Sequence, residues 1–146
     1  MQQETTTSLP EIRKVIVLNA TIEKVWNAIA TSEGLASWWM DNTFKPIQGY
    51  EFILKSGGFG DSPCKVTELS PLNKLSFDWD KDWHIDFELK KVSEKKTELT
   101  LIHSGWDKNK TTRFGQSHKD LRPVMDKGWA NLITNKLPQY MEHKNE

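Results

Sequence analysis

The chain has 146 residues, one domain's length, and its twenty Lys+Arg balance twenty Asp+Glu to a formal charge of zero. That balance excludes the clustered basic surplus on which nucleic-acid or acidic-membrane binding depends. It also leaves little self-repulsion against association, so a monomer or weak homodimer is expected. One cysteine, Cys64, excludes an intrachain disulfide and a zinc site built on several thiolates, and seven Trp, six Phe and two Tyr make the apolar content heavily aromatic.

Residues 1–9 and 143–146 are polar and read as tails, with a single domain over 10–142. The start carries neither a basic stretch nor an apolar run, so no secretory signal is read there. No apolar stretch approaches the roughly 18 residues of a membrane helix. A cytoplasmic protein without membrane insertion is expected.

Glu11 to Asn19 is rich in β-branched residues and reads as a strand. Ile22, Val25, Trp26, Ile29 and Ala30 then form one stripe of a short helix. Ser32-Glu33-Gly34-Leu35 opens a second short helix that carries Trp38 and Trp39. From there to Trp106 the apolar period is two. Tyr50, Phe52 and Leu54 share one face, and Gly57 to Pro63 reads as a loop. Cys64, Val66 and Glu68 share the next strand's face. Leu75, Phe77 and Trp79 follow, then Trp83, Ile85, Phe87 and Leu89, and finally Thr97, Leu99, Leu101 and His103.

Clean alternation of this kind predicts an antiparallel sheet with one covered and one wet face. The cover is a helix predicted over about 120–141, with Met125, Trp129, Leu132, Ile133, Leu137 and Tyr140 on its apolar stripe. Asp120 as its N-cap would leave Pro123 in the first turn, and Pro138 predicts a bend or fraying near the end. The fold class is α+β: six or seven antiparallel strands around one long C-terminal helix.

Motifs for phosphate loops, nucleophile elbows, metalloprotease helices and paired thiolates are absent, and no cofactor is expected. Gly57-Gly58-Phe59-Gly60 lies between strands and reads as a hairpin loop. Asp78, Asp80, Asp82, Asp86 and Glu88 read as a solvated sheet face, because alternation points them away from Phe77 and Trp79. Lys108 to Arg122 is locally basic and reads as an exposed loop, with a mobile lid as the sharper alternative. His103 is in register with Leu99 and Leu101, so an imidazole faces the apolar side. It must hydrogen-bond something there: a protein group, a ligand, or a proton in acid/base work. The tryptophans at 26, 38, 39, 79, 83, 106 and 129 all aim inward, as a packed core or as the walls of a pocket.

Several segments, in order, carry a resemblance to a known family. They are Ile12 to Leu18 followed by Ala20-Thr21-Ile22-Glu23-Lys24-Val25-Trp26, then Leu35-Ala36-Ser37-Trp38-Trp39 and Gly49-Tyr50-Glu51-Phe52. Leu75 to Trp79, Thr97 to Trp106 and Gly128-Trp129-Ala130-Asn131-Leu132 complete the set. Over residues 11–142 the chain resembles the START-like (SRPBCC) superfamily, in the branch named for the activator of heat-shock protein 90 ATPase. Thr21 stands where relatives often have Pro, which touches only the helix cap. The resemblance implies a helix-grip fold, a curled sheet around the C-terminal helix with a cavity between.

Relatives include lipid carriers, polyketide cyclases, self-sacrificing resistance proteins and co-chaperone domains, and fold does not choose among them. The expected function is binding of a small apolar or aromatic molecule, with Trp39, Phe52, Trp79, Phe87, Leu101, His103, Trp129 and Ile133 as wall residues. One alternative is a protein-interaction module with a chaperone as partner, in a stress response. The other is a cyclase-like or hydrolase-like enzyme using His103.

Overall fold

The computed structural model describes residues 7–55 and 60–144, with the side chains of 143 and 144 left aside. Gly57, Gly58 and Phe59 of the expected glycine-rich loop lie outside the described residues. The order is β1 (Ile12–Leu18), α1 (Ile22–Ile29), α2 (Ser32–Trp38), β2 (Glu51–Lys55), β3 (Asp61–Ser70), β4 (Lys74–Trp79), β5 (Trp83–Ser93) and β6 (Lys96–Ser104). The closing helix comprises α3 (His118–Asn131), one π turn (Leu132–Lys136) and α4 (Leu137–Lys144).

One six-stranded sheet carries the order β1-β6-β5-β4-β3-β2. All five of its ladders are antiparallel. Alternation holds as read along β4, β5 and β6: Leu75, Phe77, Ile85, Phe87, Leu99 and Leu101 are all fully buried on the covered face. Two long hairpin-linked strands, β5 and β6, run side by side from His84↔Ser104 to Ser93↔Lys96 and form the spine of the sheet. This is the α+β helix-grip architecture, with two short helices after the first strand.

In β3 the expected face persists only as far as Val66. A bulge between Val66 and Glu68 shifts the register, so Glu68 is exposed and Leu69 turns toward the core. Ser62 and Pro63, read as loop, belong to this strand. Pro63 is tolerated because its partner Ile53 directs its own N–H and C=O to Thr43, so no ladder bond is lost on that side.

The two short helices are capped by threonines: Thr21 Oγ1 accepts from Lys24 N–H at 3.3 Å, and Thr31 Oγ1 from Gly34 N–H at 2.9 Å. Thr31, rather than Ser32, is therefore the second cap. Gly34 lets the helices touch, since a Cβ there would lie 2.3 Å from the carbonyl oxygen of Asn27. Trp38 Nε1 then donates to the Ala28 carbonyl at 2.8 Å and locks the pair.

The C-terminal helix starts earlier than expected. Ser117 is its cap, accepting from Asp120 N–H at 3.1 Å, so Pro123 falls in the second turn rather than the first. The bend expected at Pro138 takes the form of the π turn just before it, where Leu137 N–H reaches back to Leu132 C=O. Beyond it the helix continues to Lys144, past the expected end. Thr7 to Leu9, within the expected tail, run beside Trp106–Lys108, with Leu9 N–H on Trp106 C=O at 3.0 Å and Lys108 N–H on Thr7 C=O at 2.9 Å. Among the described residues no helix is long and apolar enough to cross a membrane.

Candidate functional site

Between α3 and the β3–β5 end of the sheet lies a cavity of about 430 Å³. Its inner wall is aromatic, built by Trp39 at the end of α2, Trp79 at the end of β4, Trp83 at the start of β5 and Trp129 on α3. Trp39 leans on Trp129 with ring centres 4.9 Å apart and meets Trp79 edge-on at 5.6 Å. The roof is one face of α3 with the first residue of the π turn, where Leu121, Val124, Met125, Gly128 and Leu132 follow helical spacing. Phe114 and Val124, both exposed, also line the cavity.

The rim is polar and comes from two distant segments. Residues 80–82 form the turn between β4 and β5, and Asp80 takes a left-handed conformation there (φ 57°). The basic segment after β6 folds back onto this turn: Arg113 Nε contacts Asp80 Oδ2 at 2.9 Å and Lys110 Nζ contacts Asp82 Oδ1 at 3.1 Å. Arg113 also donates to the Asp61 carbonyl and covers the Phe114 ring at 4.7 Å. Asp80 and Asp82 are thus anchors for a strap rather than members of a solvated sheet face. Gly105, with φ 92°, makes this possible, because a Cβ there would lie 2.0 Å from the Asp82 carbonyl oxygen.

Of the eight residues expected as walls, Trp39, Trp79 and Trp129 line the cavity. Phe87 sits directly behind them, edge-on to Trp39 and Trp129 at 6.4 and 6.3 Å. Phe52 packs farther off against Phe44 and Phe77, and Leu101 and Ile133 are fully buried core. His103 is fully buried among four indoles, those of Trp79, Trp83, Trp106 and Trp129. Its Nδ1 accepts from Trp129 Nε1 at 2.9 Å, and burial, the largest influence, holds its pKa down at about 3.

His118, one of four scattered histidines in the sequence and not among the expected site residues, lines the cavity and is buried. Its Nδ1 accepts the Asp107 N–H at 3.2 Å, and its Nε2 approaches Asp82 Oδ2 to 3.8 Å, beyond hydrogen-bond length. Burial lowers its pKa, against an opposing pull from Asp82. The spacing 118, 121, 125, 129 was the available signal: the apolar stripe extends one turn further back than the expected start of the helix. Among the described residues no group of three or more His, Cys, Asp or Glu side chains comes together to hold a metal ion.

A curled antiparallel sheet gripping one long helix, with an aromatic cavity between them, defines a START-like protein. Residues 19–142 match the family model described as activator of Hsp90 ATPase homolog 1-like protein, and the chain belongs to that family. It is 42% identical to protein BH1534 of Bacillus halodurans, whose solution structure superposes with a TM-score of 0.81 over 92% of this chain and 98% of that one. The Aha1 dimer of Colwellia psychrerythraea is 23% identical, with a TM-score of 0.70 over 86% of this chain and 91% of that one. DynU16, a protein of the dynemicin biosynthetic locus, is 18% identical, with a TM-score of 0.73 over 90% of this chain and 47% of that one. The last two likenesses show the fold alone. No curated protein matches the chain.

Proposed function

We propose that the protein binds a small, flat, largely apolar molecule in the cavity beneath α3. The observation that carries this reading is the wall itself: four indoles and one helical face enclose about 430 Å³, within the ordinary range of small-molecule sites. Burial of such a ligand at about 25 cal/mol per Å² supplies micromolar affinity before the costs of association are subtracted. His103 supports binding over proton transfer, because Trp129 occupies its Nδ1 and burial keeps it neutral.

Gly128 provides the test. It lies on the roof at the step between Val124 and Leu132, and a Cβ built on it meets nothing within 4 Å. Phe in its place starts from open space on a lining residue and is expected to fill part of the cavity. Wild-type protein is expected to bind phenylnaphthylamine with quenching of tryptophan emission, and Gly128→Phe to weaken that binding by about tenfold or more while remaining folded. Absence of binding by the wild type would overturn the reading and favour contact with a chaperone, the role that the family description suggests.

A further inference from the structure

Three buried ring nitrogens on or behind the aromatic wall find no acceptor among the described residues: Nε1 of Trp79, Nε1 of Trp83 and Nε2 of His103. They belong to one cluster. The His103 ring centre lies 5.4 Å from that of Trp79 and 5.0 Å from that of Trp83, and the two indoles are 5.1 Å apart. An indole N–H only donates, so two of the three have fixed polarity. The third is fixed by its other bond. Trp129 Nε1 donates to His103 Nδ1, so that nitrogen carries no proton, and a neutral imidazole then holds its proton on Nε2. Burial, with a pKa near 3, keeps the ring in that neutral state. All three orphan groups are therefore N–H donors.

A buried N–H without an acceptor is as costly as a broken hydrogen bond, and native cores rarely leave one. Three of the same polarity on neighbouring rings call for an acceptor rather than for a mixed polar group. A charged acceptor at the inner wall is disfavoured, because the cations that line the cavity, Lys55, Lys81 and Arg113, are all solvent-exposed, and a buried ion needs its counter-charge beside it.

We infer that the cavity selects a flat apolar ligand bearing an uncharged oxygen acceptor, a ketone, quinone or amide carbonyl, which the N–H groups of Trp79 and Trp83, the two donor rings that line the cavity, receive through its two lone pairs. This rests on the binding function proposed above and specifies the ligand class. The two indole nitrogens are closed to solvent, so the carbonyl reaches them by a tilt of the Trp79 or Trp83 ring that lines the cavity.

Methyl naphthyl ketone and isopropenylnaphthalene have nearly the same shape and differ in the acceptor oxygen. Their affinity ratio is measured in wild type, Trp79→Phe and Trp83→Phe, each substitution removing an N–H but keeping a ring. The ratio favouring the ketone is expected to be about fivefold to tenfold larger in wild type than in either variant. In the wild type, a nitrogen–proton correlation spectrum should show the Trp79 and Trp83 indole protons moving downfield with the ketone and not with the alkene. This second measurement stands if a variant fails to fold. Equal ratios in all three proteins, with neither indole proton shifted selectively, would overturn the donor cluster and leave the apolar cavity intact. If neither compound binds, the cavity function falls and the donor cluster with it.

Discussion

The two halves of the C-terminal helix face the same sheet and do opposite things. Beyond Trp129 the helix places Ile133, Leu137 and Met141 at every fourth position, and all three are buried against α1, α2 and the sheet. Before Trp129 the same spacing carries Leu121 and Met125, only partly buried, with Gly128 and the 62%-exposed Val124 beside them. Periodicity is shared and volume is not. The cavity arises where the helix withholds side-chain bulk, and Trp129 marks the border.

The largest effect is expected at the border itself. Trp129→Ala removes an indole that is 2% exposed, holds His103 and separates cavity from core, so a loss of about 3–5 kcal/mol is expected in chemical denaturation. A loss under about 1 kcal/mol would mean that the cavity half already lacks packing at Trp129 and that the border lies further along. Next comes a matched pair across it. Leu137→Ala, fully buried in the packed half, should cost about 2–5 kcal/mol, whereas Met125→Ala in the roof should cost clearly less. Equal costs would erase the distinction between the halves.

Much of this was legible from period alone. Strands β4, β5 and β6 present their alternate residues as read, because a strand's two faces are fixed by covalent geometry. What escaped is what depends on distant partners. The β3 bulge after Val66 leaves no mark in the alternation before it. Asp80 and Asp82 continue the polar phase of β4, yet the chain turns there, and their partners Arg113 and Lys110 come 33 and 28 residues later. The aromatic walls Trp39, Trp79 and Trp129 were legible as inward rings, but which rings would border open space was not. Period tells direction; only the volumes opposite decide whether a ring meets another ring or a gap.

His103 links the border to pH. At neutral pH, His103→Leu leaves Trp129 Nε1 buried without its acceptor, an expected loss of about 1–3 kcal/mol. Unfolded, this imidazole titrates near 6.5, and folded, near 3. Between these values the unfolded chain binds the extra proton, so wild-type stability falls as pH drops below 6.5. By about pH 5 that loss reaches about 2 kcal/mol, and the Leu variant does not suffer it. The penalty of the substitution should therefore shrink by about 2 kcal/mol between about pH 7.5 and about pH 5 in urea titrations. A constant penalty would mean that His103 is not held neutral by the core.

The smallest effect tests the withheld volume most directly. Glycine inside a helix is less stable than alanine by about 0.5–1 kcal/mol, because the unfolded chain has more freedom to lose. Gly128 is in α3 with no positive φ, and a Cβ on it meets nothing within 4 Å, so no contact opposes the substitution. Gly128→Ala is expected to raise stability by about 0.5–1 kcal/mol, read as a higher denaturation midpoint with an unchanged slope. A methyl group takes up little of the space above Trp39 and Trp79, so ligand affinity should change far less than with Phe at the same position. The glycine would then be a residue that lowers the helix's own stability and keeps the roof thin. A loss of stability would show instead that the roof closes onto the sheet in solution and that Gly128 is needed for close packing, which would make the two halves of the helix alike.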